Sequence, residues 1–151
     1  MPVNVCVSEN SFVNRGQAAP DPASDAMTVL LIDDEPSIRY LFRTALEKEG
    51  YRVLEAQDGR AALPQIPATG VDLVITDLLM DGQEGLETIQ ILHRRHPTLE
   101  ILVVSGAGDP IYFDMARAFG ASRCVEKPVS PSRLVSEVRQ AISKRFVSFQ
   151  E

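Results

Sequence analysis

Cysteine is scarce in this sequence, basic charge is not in excess, and no apolar run comes near the roughly 20 residues that a membrane-spanning helix needs. The N-terminus also lacks the charged start and apolar block of a secretory signal. Cys6 and Cys124 have no metal-ligand spacing and are too few for a disulfide framework, so both are expected to be reduced thiols in a cytoplasmic protein with no membrane association. A net charge of −6 does not fit a chain whose affinity comes from neutralising many phosphates. Histidine is equally sparse. His93 and His96 stand near the end of a helix-like segment, where a cation already has an electrostatic reason to be, so neither is a strong candidate for a ligand or phosphoacceptor.

What is present suits one globular core. The chain has 151 residues, 44% of them apolar and 24% charged, which excludes wholesale disorder and points to a single domain. The charge is uneven: residues 1–26 carry −2, residues 27–108 carry −6 and residues 109–151 carry +2. An acidic stretch is usually only a solvated surface, but it can also mean carboxylates converging on a hard cation.

Residues 1–26 show no lasting periodicity and end in an Ala, Pro and Asp-rich stretch, so they are expected to be a disordered extension, with Met27 an alternative start. From Thr28 short apolar runs alternate with amphipathic segments. Strands are predicted at Thr28–Ile32, Tyr51–Glu55, Val71–Thr76, Ile101–Val104 and Arg123–Val125. Helices are predicted from Pro36 to Gly50, with Ile38, Leu41, Phe42, Ala45 and Leu46 inward, from Gly59 to Ile66, and from Glu84 to Arg95. A further helix follows Asp109-Pro110 and closes at Gly120, and a last one follows Ser130-Pro131 with Leu134, Val138, Ala141, Ile142 and Phe146 inward. Tyr112, Phe113 and Phe119 are expected to serve packing. Residues 27–146 thus form the domain, with 147–151 a short tail too small for an output domain. Five strands separated by five helices call for an α/β fold, a doubly wound five-stranded parallel sheet with helices on both faces. Ligands of such sheets bind beyond the carboxyl ends of the strands.

Those ends carry Asp33 and Asp34 after the first strand, Asp77 after the third, Ser105 after the fourth and Lys127 after the fifth. Singly each has a dull explanation: Asp33-Asp34-Glu35 as capping and dipole-compensating carboxylates, Ser105 as a turn former, Lys127 as a surface charge. Together they do not, because three converging carboxylates repel one another unless a cation, best a divalent metal, sits among them.

Taken in order, Leu31-Ile32-Asp33-Asp34-Glu35-Pro36, then Asp77-Leu78-Leu79-Met80-Asp81-Gly82 with Gly85-Leu86-Glu87, then Val103-Val104-Ser105-Gly106, and Lys127-Pro128 resemble the receiver domain of bacterial two-component response regulators, in its single-domain chemotaxis-type form. The resemblance implies a flavodoxin-like (βα)5 fold with strand order 2-1-3-4-5. It implies that Asp77 accepts a phosphoryl group, that Asp34 and the Leu79 backbone carbonyl ligate Mg²⁺ directly with Asp33 acting through water and Asp77 belonging to the same site, and that Ser105 and Lys127 grip the phosphoryl oxygens. The donor would be a sensor histidine kinase or histidine phosphotransfer protein, and a downstream protein would read the last two helices and fifth strand, with no DNA-binding domain involved. Such a domain assists its own phosphorylation and dephosphorylation without being an enzyme in the ordinary sense.

The chemistry agrees with that set. A carboxylate attacking an anionic phosphoryl group needs positive charge on the transferring oxygens, and Gly106 leaves the approach open. The pattern is departed from at Asp81, where proline is usual, and at Cys124, where an aromatic switch is usual; Leu79 and Ala107, facing the attacking water, are both apolar. An aspartyl-phosphate phosphatase would need an Asp-x-Asp pattern that Asp33-Asp34-Glu35 lacks. A phosphorylation-independent adaptor would have no use for the complete acid set.

Overall fold

The computed structural model describes residues 26–78, 84–106 and 110–148. The expected extension 1–26 therefore lies, apart from Ala26, outside the described residues; of the expected tail 147–151, residues 147 and 148 continue the last helix and the rest lies outside the described residues. Five strands, β1 (Thr28–Ile32), β2 (Arg52–Ala56), β3 (Leu73–Thr76), β4 (Glu100–Ser105) and β5 (Arg123–Glu126), form one sheet in the order β2-β1-β3-β4-β5. Every pairing is parallel. The helices are α1 (Pro36–Lys48), α2 (Gly59–Ala62), α3 (Gln65–Thr69), α4 (Glu84–Arg95), α5 (Pro110–Phe119) and α6 (Pro131–Ser148).

The three central strands, β1, β3 and β4, are buried on both faces, which is why they read as nearly continuous apolar runs. Leu30, Ile32, Val74, Ile101 and Val103 face a core closed by Ala62, Ile89, Leu92 and Ala116. Their neighbours Val29, Leu31, Ile75, Leu102 and Val104 face the other core, closed by Phe42, Leu46, Leu134 and Val138. The Ser130 cap forms, its Oγ accepting the Arg133 N–H at 3.1 Å. Asp109 and the side chain of Phe146 lie outside the described residues.

Two expectations need correction. The single helix expected from Gly59 to Ile66 is two, with Pro64 between them in helical conformation as the N-cap of α3, because proline offers no N–H and crowds the carbonyl four residues back. Leu41 is 44% exposed, since α1 buries the stripe through Ile38, Phe42, Ala45 and Leu46, and Leu41 stands beyond its edge. Strand boundaries also shift by one or two residues. In β3 the start moves to Leu73, because Asp72 is engaged at the sheet end: its N–H donates to the Thr28 carbonyl, and its carboxylate accepts the Thr28 N–H at 2.9 Å.

Candidate functional site

The first residue past each of three strands keeps one ladder hydrogen bond, and this fixes its backbone. The Asp33 N–H donates to the Ala56 carbonyl at 3.2 Å, the Asp77 N–H to Ile32 at 3.3 Å and the Lys127 N–H to Ser105 at 3.0 Å. Asp33, Asp77, Ser105 and Lys127 are thus brought to one edge by sheet pairing rather than by loop conformation. The Lys127-Pro128 peptide is cis.

Lys127 Nζ donates to Asp33 Oδ2 at 3.0 Å and to Asp77 Oδ2 at 2.8 Å. Both aspartates are 7% exposed. Burial on its own would lower the lysine's pKa, but the hydrogen bonds and charges of Asp77 and Asp33 outweigh it and hold the ammonium above its ordinary value. The repulsion expected among the carboxylates is therefore relieved in part by the protein itself.

The Asp33, Asp34 and Glu35 carboxylates bring ligand oxygens within 4.8 Å of one another. Glu35, for which capping was only the dull reading of the sequence, is the N-cap of α1 but makes no side-chain cap bond, and it lies in the cluster with Asp33 and Asp34. Its position beside the acidic pair was the available signal. Asp77 is adjacent through Lys127 rather than a member of this group. The expected Leu79 carbonyl ligand, together with Met80, Asp81, Gly82 and Ala107, lies outside the described residues.

Ser105 is fully buried, and its Oγ has no hydrogen-bond partner among the described residues. A buried hydroxyl left unpaired costs about 1–3 kcal/mol, so its retention at this edge favours an incoming acceptor. A hard oxygen cluster, a partly buried ammonium and an unpaired hydroxyl fit a magnesium-bound phosphoryl group.

Two glycines frame the site differently. A Cβ on Gly85 would stand 2.6 Å from the Asp77 carbonyl oxygen and from Leu78 backbone atoms, so α4 can start against the Asp77 loop only with glycine there. Among the described residues a Cβ on Gly106 would meet only Lys127 Cβ, at 3.7 Å, which is ordinary contact. Among the described residues nothing in the packing demands glycine at Gly106, an exposed position beside the lysine.

The comparisons decide the family. The family model for the response regulator receiver domain matches residues 29–139, most of the chain. The chain belongs to the response regulator receiver family. This receiver is 35% identical over 119 residues to the nitrogen assimilation regulatory protein NtrX of Azorhizobium caulinodans, covering 78% of this chain and 26% of that one. It is 28% identical to the transcriptional regulatory protein CpxR of Escherichia coli, covering 82% and 52%. It thus spans between a quarter and about half of these regulators' length. Among solved structures, the receiver domain of NtrX from Brucella abortus superposes with a TM-score of 0.72 at 31% identity, covering 76% of this chain and 98% of that one. A CheY-like receiver from Methanospirillum hungatei gives 0.78 at 23% identity, covering 82% and 99%, a likeness of fold alone.

The remaining residues singled out by sequence fall outside the site. The His93 ring packs on Gly120, where φ is 126° and a Cβ would come within 2.4 Å of the imidazole. The His96 N–H continues α4 to Leu92, and neither histidine joins a metal-ligating cluster among the described residues. Cys124 is half-buried, its Sγ 3.9 Å from the Phe113 carbonyl, and burial pushes its thiol pKa up, as expected of an unreactive thiol. Phe113 and Phe119 pack on the core, whereas Tyr112 is 37% exposed. Cys6 lies outside the described residues. No helix among the described residues is long and apolar enough to cross a membrane.

Proposed function

We propose that this receiver accepts a phosphoryl group on Asp77 from a histidine kinase or histidine phosphotransfer protein and passes the signal on by protein contact in the cytoplasm. The observation that carries the reading is the Lys127 ammonium held between Asp33 and Asp77 on the binding edge of the sheet. Asp77 is the nucleophile: its oxygen bonds to phosphorus while the donor's nitrogen–phosphorus bond breaks and the imidazole leaves. Lys127 Nζ, already within 2.8 Å of that carboxylate, neutralises charge on the transferring oxygens, and Ser105 Oγ donates its unused hydrogen bond to one of them. Asp33, Asp34 and Glu35, with the Leu79 carbonyl, would hold Mg²⁺, which when bound supplies further neutralising charge at the phosphoryl group. These residues assist the transfer and the later hydrolysis.

Two apolar exposures support contact with partners. Tyr40, 73% exposed, and Leu41 stand on α1, the helix that begins directly after the acidic loop, where a donor must approach. Ile111, Tyr112 and Met115 are exposed on α5, beside β5, and form the surface through which we place output together with β5 and α6. Incubation of the full chain with acetyl phosphate and Mg²⁺, followed by intact-mass measurement, should show one phosphoryl addition that Asp77→Asn abolishes. An addition retained in that variant refutes the assignment.

A further inference from the structure

Every polar group of Asp33 has a partner, and one of these partners reaches it from an unexpected direction. Its N–H donates to Ala56, its Oδ1 accepts the Glu35 N–H at 2.9 Å and its Oδ2 accepts Lys127. Its backbone carbonyl accepts from Arg39 Nη1. Arg39 stands in the first turn of α1 and is largely covered, and its Nε donates at 3.2 Å to Glu55 Oε1 on β2. Glu55 pairs in register with Leu31 of β1, and its other oxygen holds Arg43, one turn further along α1. The guanidinium therefore spans two rigid elements: Glu55 on the sheet sets its orientation, and its second arm grips the peptide that leads from Asp33 to Asp34. Arg39 and Asp33 also line one small cavity, with Phe42, Thr76 and Asp77 around it, so the contact lies directly beneath the binding edge.

Resting on the reading of Asp33, Asp34 and Glu35 as the metal-holding loop, we infer that Arg39 is a positioning residue for that loop, holding the acidic cluster in its binding arrangement through the Asp33 carbonyl. The planar fork of arginine is what the position uses, because one rigid group satisfies a carboxylate and a carbonyl at once. A lysine keeps the charge and loses the fork.

Charge and position predict opposite results, which makes the assignment testable. As a cation close to the site, Arg39 disfavours Mg²⁺ electrostatically, so Arg39→Gln acting through charge alone would tighten Mg²⁺ binding, and Arg39→Lys would leave it unchanged. Acting through position, both substitutions weaken binding, by about tenfold, as supporting partners of metal ligands typically do. The measurement is calorimetric titration of Mg²⁺ into the full chain, beside urea unfolding of the metal-free protein to follow stability separately. Weaker Mg²⁺ binding in folded Arg39→Lys and Arg39→Gln supports the inference; should Arg39→Gln fail to fold, Arg39→Lys decides. Mg²⁺ binding by Arg39→Lys equal to wild type, or tighter binding by Arg39→Gln, overturns it. Asp34→Ala separates the two readings: if it abolishes binding while the Arg39 variants bind normally, only the positioning role falls, and if wild type itself binds no Mg²⁺ through Asp34, both fall.

Discussion

Lys127 and Asp77 are 50 residues apart in the chain and 2.8 Å apart across the site. The same ammonium reaches Asp33, 94 residues away, at 3.0 Å. The lysine is the counter-ion of two nearly buried carboxylates, and it is also the group proposed to meet the phosphoryl oxygens.

Removing the lysine should therefore separate stability from metal affinity. Lys127→Ala leaves Asp33 and Asp77 without their shared cation, and the metal-free protein should lose about 1–2 kcal/mol by urea unfolding, a value reduced from that of a fully buried pair because the ammonium is partly exposed. The same variant should bind Mg²⁺ at least as tightly as wild type by calorimetry, since a competing cation is gone, yet accept phosphoryl from acetyl phosphate more slowly. Weaker Mg²⁺ binding in Lys127→Ala would show that the lysine supports the metal site.

The raised pKa of Lys127 sets the direction of a pH effect. A group whose folded pKa exceeds its unfolded value contributes stability that is complete below the unfolded pKa and is lost as pH rises through the folded one. With an unfolded value of 10.5, the contribution should persist through neutral pH and disappear only in alkali above that value. Urea midpoints of metal-free wild type and Lys127→Met should converge as pH is raised through that range; a constant difference would contradict the pairing.

Gly85 and Gly106 should respond to alanine in opposite ways. Gly85→Ala drives a methyl into the backbone of Asp77 and Leu78, and should cost about 1–3 kcal/mol by urea unfolding while slowing phosphorylation beyond the loss of folded protein. Gly106→Ala meets, among the described residues, only an ordinary contact with Lys127 and should stay within about 0.5 kcal/mol of wild type. Its effect should appear instead as slower transfer from a protein donor, with acetyl phosphate little affected.

Readout should travel through α5. Cys124 has too small a side chain to report phosphorylation by swinging outward, and its Sγ contacts the Phe113 carbonyl, which couples β5 to α5. Amide hydrogen exchange with and without a phosphoryl mimic should change most from Gly106 through Phe119, the segment that carries Ile111, Tyr112 and Met115. Changes confined to β5 would place the signal elsewhere.

Much of this was legible in the residues alone. Parallel strands buried on both faces must read as short apolar runs, and parallel pairing requires crossovers, so the alternation from Thr28 onward determined the sheet, and the residues after the runs pointed to Asp33, Asp77, Ser105 and Lys127, which strand pairing brings to one edge. Periodicity records which face of an element is buried, however, and says little about which distant group a side chain meets. The tertiary structure alone decided that Leu41 is exposed, that Glu35 joins Asp33 and Asp34, that Arg39 grips the Asp33 carbonyl, and that Ser105 Oγ is buried without a partner among the described residues. It also decided that Lys127 stands between Asp33 and Asp77. Each of these depends on strand register and helix packing between segments far apart in the chain, and a local pattern of apolar and polar residues does not carry that information.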